Sequence, residues 1–349
     1  MLRYKFYFLI IIVAAFNLHN IKAQVVNARA EDFKEITKRP LIVQLVTEDA
    51  FLVEDLEKVI SKTSNAKRKA EFEAELNAYR EFVSSYNKLI KDVIKKTWQF
   101  NKEVPIEFKT FSEVQDLRRV NPRNYTILQF VQTKLWVTNE YGKECFTAKT
   151  IPTLVYSRME KAEPYDDKFN EKIDYSIYLP YINSRKNQEL FESDLLIIIK
   201  LLHNHIKEIQ TYDKRKFTLM DFAKDQDEEN CDKLSGQTLL LDEKHLDTKT
   251  QKQDIIKSYG GNLNIITSEE ISKTLSQEED VPVSIILPYS IKHDKSGVPG
   301  LESSERIMYM KCFVNARSAI FYTCYGTKTV DNWEAYFKTQ EFKKIEKCK

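Results

Sequence analysis

The pattern of apolar and polar positions predicts alternating strands and helices. Leu41 to Val46 is a short apolar run, typical of a strand covered on both faces, and apolar residues at helical spacing follow it. The same order returns from Thr238 to Leu241, with helix, strand, helix and a meander of strands after it. We therefore predict an α/β protein with mixed α+β sheets, made of two similar α/β domains. An internal duplication would explain the likeness.

The strongest periodic signal is an apolar seam with steps of three and four residues between positions 72 and 97. It predicts a long amphipathic helix in the first domain. Two interpretations stay open: the seam packs on its own domain, or it docks a partner chain as a helical arm. Tyrosines near a proline-bounded loop are further candidates, although alternation within a strand also accounts for Tyr178. The candidate partner-binding residues are Phe72, Leu76, Tyr79, Val83, Tyr86, Ile90, Tyr165, Tyr178 and Tyr181.

An acidic, polar run at residues 221–233 separates the two repeats of the pattern. We interpret it as a solvated linker, because it lacks the glycine and glutamate that a calcium loop needs at its sixth and twelfth positions. The predicted organisation is a signal peptide (1–23), an N-terminal α/β domain (24–212) with a helical arm (48–100), an acidic linker (213–235) and a C-terminal α/β domain (236–349).

The adjacent pair Gly260-Gly261 is the most motif-like feature. A dinucleotide-binding loop places its glycines after a strand and before a helix, and it needs a third glycine. Here the pair follows a predicted helix and precedes a predicted strand, in a chain with only 7 glycines. We therefore predict that Gly260 ends a helix in a left-handed conformation.

Candidate chemistry is sparse. The sequence motifs of phosphate loops, serine hydrolases and zinc proteases are missing, and no two cysteines are spaced C-x-x-C. His203 and His205 lie two apart on a predicted helix, so they point in different directions and cannot share a metal. We predict no cofactor, no metal and no catalytic residue, and lean against an enzyme. A glycosidase needs only two carboxylates, so a hydrolase is not excluded.

The five cysteines are Cys145, Cys231, Cys312, Cys324 and Cys348. Their odd number leaves at least one free or shared with a partner. A tight hairpin over residues 315–318 would place two of them, Cys312 and Cys324, on opposite faces of the sheet. We predict that these two are not bonded to each other, and that both are reduced and packed as small apolar residues.

The N-terminus predicts a signal peptide. Arg3 and Lys5 precede 11 apolar residues, Phe6–Phe16, and Ala23 offers a cleavage site. An uncleaved anchor is the alternative. Removing residues 1–23 leaves 51 basic and 52 acidic residues, a balance that argues against a nucleic-acid partner. We expect no transmembrane segment in the mature chain, and a periplasmic, outer-membrane-associated or secreted location.

Together these patterns indicate an exported, non-catalytic interaction or assembly protein of the cell envelope. Its expected partner is another envelope protein, with a glycan as a further candidate ligand. The alternatives are a secreted hydrolase with an unrecognised site, and a glycan-binding module.

Export has a direct test. N-terminal sequencing of the mature protein from its native host should begin at or near Gln24, because cleavage after Ala23 fits the signal pattern. Recovery of the chain with an intact Met1 in the cytosolic fraction would contradict export.

Overall fold

The structure is a computed structural model of the full chain. It describes residues 29–100, 104–139, 144–159, 173–180, 192–211, 218–234, 236–246, 252–295, 301–325 and 336–345. The predicted signal peptide, Tyr165 and Tyr181 lie outside these ranges.

The first half of the molecule holds five strands in the order β2-β1-β3-β4-β5. The first three strands of this order are parallel, and the last two are antiparallel to their neighbours. Its elements are α1 (Ala30–Ile36), β1 (Leu41–Gln44), α2 (Ala50–Lys62), α3 (Ala66–Thr97), β2 (Ile106–Lys109), α4 (Phe111–Val120), β3 (Thr126–Asn139), β4 (Glu144–Arg158), β5 (Ile173–Tyr178) and α5 (Glu192–Thr211).

The second half repeats this arrangement in the order β7-β6-β8-β9-β10, with the same strand directions. Its elements are α6 (Leu219–Asn230), β6 (Leu239–Asp242), α7 (Lys252–Tyr259), β7 (Leu263–Ile266), α8 (Ser268–Ser276), β8 (Pro282–Lys295), β9 (Leu301–Asn315), β10 (Phe321–Tyr325) and α9 (Thr339–Ile345). Two similar five-stranded mixed sheets confirm the predicted fold class. The two sheets are joined where one end of the long strand β3 (residues 137–139) pairs with one end of the long strand β9 (residues 301–304).

The likeness extends to local sequence signals. Thr110 and Glu113 form a capping box at the start of α4, and Thr267 and Glu270 form the same box at the start of α8. Both boxes follow the second strand of their half, where they satisfy free N–H groups of the first helical turn. The halves differ most between their first two strands. In the first half α2 and α3 lie in this connection, whereas the described part of it in the second half contains a single α-helix, α7. The long helix is therefore part of an insertion into a repeated plan.

Helix α5 lies in a core shared by both halves. It is buried along most of its length, from Ser193 to Ile209. One hydrophobic cluster contains α5 residues such as Ile198, first-sheet residues such as Leu128 and second-sheet residues such as Ile285. This helix is apolar on nearly all sides because elements of the first half cover one side of it and α8 of the second half covers another. Because both halves contribute to this cluster, we expect them to unfold as one cooperative unit. The domain boundary at residues 213–235 stays a prediction.

A buried cation on α5 fixes the second half in place. The ammonium of Lys200 donates to the carbonyl oxygens of Ala316 at 3.0 Å, Arg317 at 3.2 Å and Leu275 at 3.5 Å. Leu275 lies in the last turn of α8, where the helix dipole favours a positive charge. Burial lowers the pKa of Lys200, and the charge of Glu278 partly opposes this. The first half thereby caps a helix and a turn of the second half.

The interpretation of residues 221–233 as a solvated linker is wrong. Residues 219–230 form α6, which begins with a capping box between Thr218 and Asp221. Phe222 is buried, and the Gln226 side chain accepts a hydrogen bond from the backbone N–H of Phe321 in β10 at 2.8 Å. The few apolar residues of this acidic run fall on one face of the helix, which is enough to hold it against the sheet.

Gly260 ends α7 as predicted. Its φ of 63° is the left-handed conformation that glycine adopts without steric cost, and β7 begins three residues later at Leu263. The glycine pair is therefore a boundary between a helix and a strand.

The cysteine register was predicted wrongly, but the outcome for Cys312 is confirmed. Backbone pairing places Cys324 directly opposite Cys312. The Asn315 side chain accepts hydrogen bonds from two following N–H groups and Ala319 has φ 51°, so the connection is longer than a tight turn. A register shift between Phe321 and Thr323 then moves the pairing by one further residue. Cys312 is nevertheless buried and forms no disulfide, whereas Cys231 is disulfide-bonded.

Candidate functional site

The strand order points to one place in each half where a ligand would bind. In open α/β sheets, ligands occupy the carboxyl ends of the strands at the position where the strand order reverses. In this chain that position lies beside the central strands β1 and β6. The last residues of these strands, Gln44 and Asp242, are equivalent in the repeat and both are buried.

Asp242 lies at the centre of a buried polar network. The Ser268 hydroxyl, at the start of α8, is 2.8 and 3.0 Å from the two carboxylate oxygens. The backbone N–H of Lys244 donates to the same carboxylate at 3.0 Å. The carboxylate thus sits at the positive end of a helix, with hydrogen bonds that offset the cost of burial.

Lys244 connects this network to the other half. Its ammonium lies 2.8 Å from the carboxylate of Asp194, in the first turn of α5, and 3.5 Å from that of Asp242. All three side chains are nearly buried, so this is a cation held between two carboxylates across the contact between the halves.

A serine and a histidine complete the network. The Ser284 hydroxyl accepts from the backbone N–H of Asp242 at 2.9 Å, and it lies 2.9 Å from Nδ1 of His245. Burial first, and the Lys244 cation second, hold the pKa of His245 well below its ordinary value, so this ring is neutral at pH 7. The other ring nitrogen, Nε2, has no hydrogen-bond partner.

These residue types are those of a serine hydrolase, but the geometry is different. In a catalytic triad the carboxylate orients the imidazole, and the serine faces the substrate. Here the Asp242 carboxylate contacts Ser268 and Lys244, and Ser284 is only 1% exposed. The arrangement stabilises the contact between the halves and offers no accessible nucleophile.

A second pair of carboxylates also holds a basic side chain between its members. The guanidinium of Arg158 lies 3.0 Å from Asp32 and 2.8 Å from Asp174. Asp174 is completely buried, and its carboxylate also accepts the backbone N–H of Arg158 at 2.8 Å. Because the cation lies between the two acids, they cannot act as a free acid and base pair on a sugar.

The predicted partner-binding seam is covered by the protein itself. Its core members are buried, and Phe72 is partly buried against the same cluster. The rings of Tyr86 and Phe130 lie 4.9 Å apart, and the Tyr79 hydroxyl accepts from the backbone N–H of Asp49 at 2.7 Å. The seam therefore packs on its own chain, the first of the two interpretations. The buried members are Leu76, Tyr79, Val83, Tyr86 and Ile90.

Tyr178 is also buried. It belongs to β5 and packs in a cluster with residues of the second half. The alternation of side chains along β5 accounts for the burial of Tyr178. The side chain is therefore not accessible to a ligand.

Sequence reasoning missed the apolar residues that the structure does expose. Phe51 of α2 is 83% exposed, and Val59 of the same helix is 41% exposed. The buried face of α2 is formed by Leu52 and Leu56. Phe51 falls outside that spacing, which is the signal that could have identified it as a surface residue.

Neither a metal-binding cluster nor a membrane-spanning helix occurs in the parts of the chain that the structure describes. Within them, His, Cys, Asp and Glu side chains nowhere form a group of three or more that could hold a metal ion. None of the helices in these parts combines the length and apolar character needed to span a bilayer.

Comparison with known proteins finds no match: no family model, no curated protein and no solved structure is similar to this chain.

The buried network predicts unequal effects for two neighbouring lysines. Lys244→Met should lower the free energy of unfolding by about 3 to 5 kcal/mol, because it leaves two buried carboxylates without their cation. Lys252→Met breaks only an exposed pair with Glu243 and should cost less than about 0.5 kcal/mol. Urea unfolding of both variants makes the comparison. Equal effects would show that the network does not hold the halves together.

Proposed function

We propose that the protein is an exported, non-catalytic interaction or assembly component of the cell envelope. The N-terminal pattern supports export. The disulfide at Cys231 is of a kind that persists in oxidising compartments. The polar clusters described above are buried and paired, which favours a structural role over a catalytic one.

The observation that carries this proposal is the α2–α3 hairpin. It is the main insertion into an otherwise repeated plan, and its outer surface carries Phe51 almost fully exposed. Insertions on a rigid scaffold are common sites of function. Exposed aromatic rings contribute strongly to protein interfaces because they bury a large area with little loss of side-chain freedom.

The backbone around Phe51 is held in place. The Asp49 side chain caps α2 by accepting the N–H of Phe51 at 2.9 Å, and the N–H of Asp49 donates to the hydroxyl of Tyr79 on α3. Nearby, Arg80 pairs with Glu48 and Glu57. A fixed aromatic residue beside charged groups has the anatomy of an interface centre with a polar rim, and it needs little ordering on binding.

A hydrolase receives no specific support from the residues that the structure describes. The carboxylate pairs Asp194 with Asp242 and Asp32 with Asp174 each enclose a basic side chain. We therefore place the function on the surface of the hairpin and expect another envelope protein as its partner.

A matched pair of surface variants tests this function. The mature chain should capture a specific partner from envelope extracts of its native host, measured by quantitative mass spectrometry. Phe51→Ser should reduce that capture at least tenfold, since a central aromatic residue typically contributes more than 1.4 kcal/mol.

Val120→Ser is the control, because Val120 is 73% exposed but lies on α4, outside the hairpin. Equal capture by the wild type and both variants, or capture no greater than with an unrelated bait, would contradict the proposed function.

A further inference from the structure

The end of the α2–α3 hairpin projects from the body of the protein. We call residues 57–71 the hairpin tip. None of them is buried, whereas buried residues recur along α3 from Leu76 onward. At a rise of about 1.5 Å per residue, the six residues of α3 that precede Phe72 extend roughly 9 Å beyond its contact with the core. Only Ile60 of the tip and the adjacent Phe72 pack partly against the core cluster.

The hairpin tip concentrates positive charge. It contains five basic side chains, and no acidic residue lies between Glu57 and Glu71. All five side chains are exposed, and no ion pair of theirs occurs among the residues that the structure describes. The mature chain has almost equal numbers of acids and bases, so this excess is local. The five residues are Lys58, Lys62, Lys67, Arg68 and Lys69.

Helix stability does not explain these cations. Lys67 and Arg68 lie in the first turn of α3, where the helix dipole disfavours positive charge. The helices α1 and α4 to α9 all carry an acidic residue in this turn. Departures from local stability rules concentrate at functional surfaces.

We propose that the hairpin tip binds the surface of a bilayer that contains anionic phospholipid. The cations are long, flexible and spread around a projecting end, so they match a diffuse negative surface better than a single phosphate group. Val59, 41% exposed, adds a small apolar contact beside them. The tip has no aromatic ring on which a base could stack, which disfavours single-stranded nucleic acid.

The hairpin tip is a second contact surface, and its binding to lipid does not depend on Phe51 or on export. Each cation near an anionic bilayer strengthens binding about fivefold, and salt screens the effect. The three cations of α3 together should therefore account for about a hundredfold in affinity.

Vesicle sedimentation of the mature chain tests the proposal. We expect binding to vesicles of phosphatidylcholine with about a third phosphatidylglycerol, and none to pure phosphatidylcholine. The variant Lys67→Gln, Arg68→Gln, Lys69→Gln should bind about a hundredfold more weakly. The control Lys88→Gln, Lys224→Gln, Lys257→Gln removes the same charge from exposed positions elsewhere and should bind nearly as well as the wild type. Circular dichroism checks that each variant is folded.

Several results would overturn the proposal. They are no binding to the anionic vesicles, equal loss in both triple variants, or complete displacement by inorganic phosphate at the ionic strength of the control buffer. Tighter binding to an oligonucleotide than to the vesicles would assign the tip to nucleic acid instead. Because purified protein and lipid are sufficient, failure here leaves the Phe51 experiment unaffected.

Discussion

The position of the second half depends on the buried ammonium of Lys200. A cation taken out of water needs several acceptors, and Lys200 finds them in the last turn of α8 and in the turn after β9. All three acceptors belong to the half that does not contain α5. The apolar sides of α5 bring the two halves together, but apolar packing has little directional preference. The lysine supplies direction, because its ammonium donates to carbonyl oxygens at fixed positions in the second half.

This contact explains why a repeated plan yields an asymmetric molecule. In the first half, the final helix α5 packs against α1 and α3 of its own half and against α8 of the other half. In the second half, the equivalent helix α9 packs on its own sheet, where Glu341 pairs at 2.7 Å with the buried Lys311 of β9. The helix after the fifth strand therefore contacts the other half in one case (α5) and packs on its own half in the other (α9). The scaffold holds the α2–α3 hairpin firmly at its base and leaves its tip in solvent.

Local features were predictable from the sequence, and contacts between distant residues were not. The short apolar strands, the long helix and the stop at Gly260 depend on neighbouring residues, so their patterns sufficed. Helix α6 was missed because most of its residues are charged or polar, so the narrow apolar face around Phe222 gives only a weak helical pattern. The hairpin register was missed because it depends on the Asn315 side chain, on the left-handed conformation of Ala319 and on a register shift between Phe321 and Thr323.

The candidate site was less predictable still. Its network joins Asp194 of α5 to Lys244, a pairing across 50 positions that no spacing rule reveals. The seam on α3 was identified correctly as apolar, but its periodicity could not decide between packing on its own chain and docking a partner. Burial decides this, and it also directs attention to Phe51 and the basic tip, neither of which forms a motif.

The central claim is that one shared core around α5 holds both halves together. Native-state hydrogen exchange in low concentrations of urea tests it most directly, since it reports the opening free energy of each strand. We predict that the most protected amides of β1, α5 and β8 share one opening free energy, equal to that of global unfolding. A distinctly lower opening free energy for β6 to β10, with β1 to β5 still protected, would contradict it.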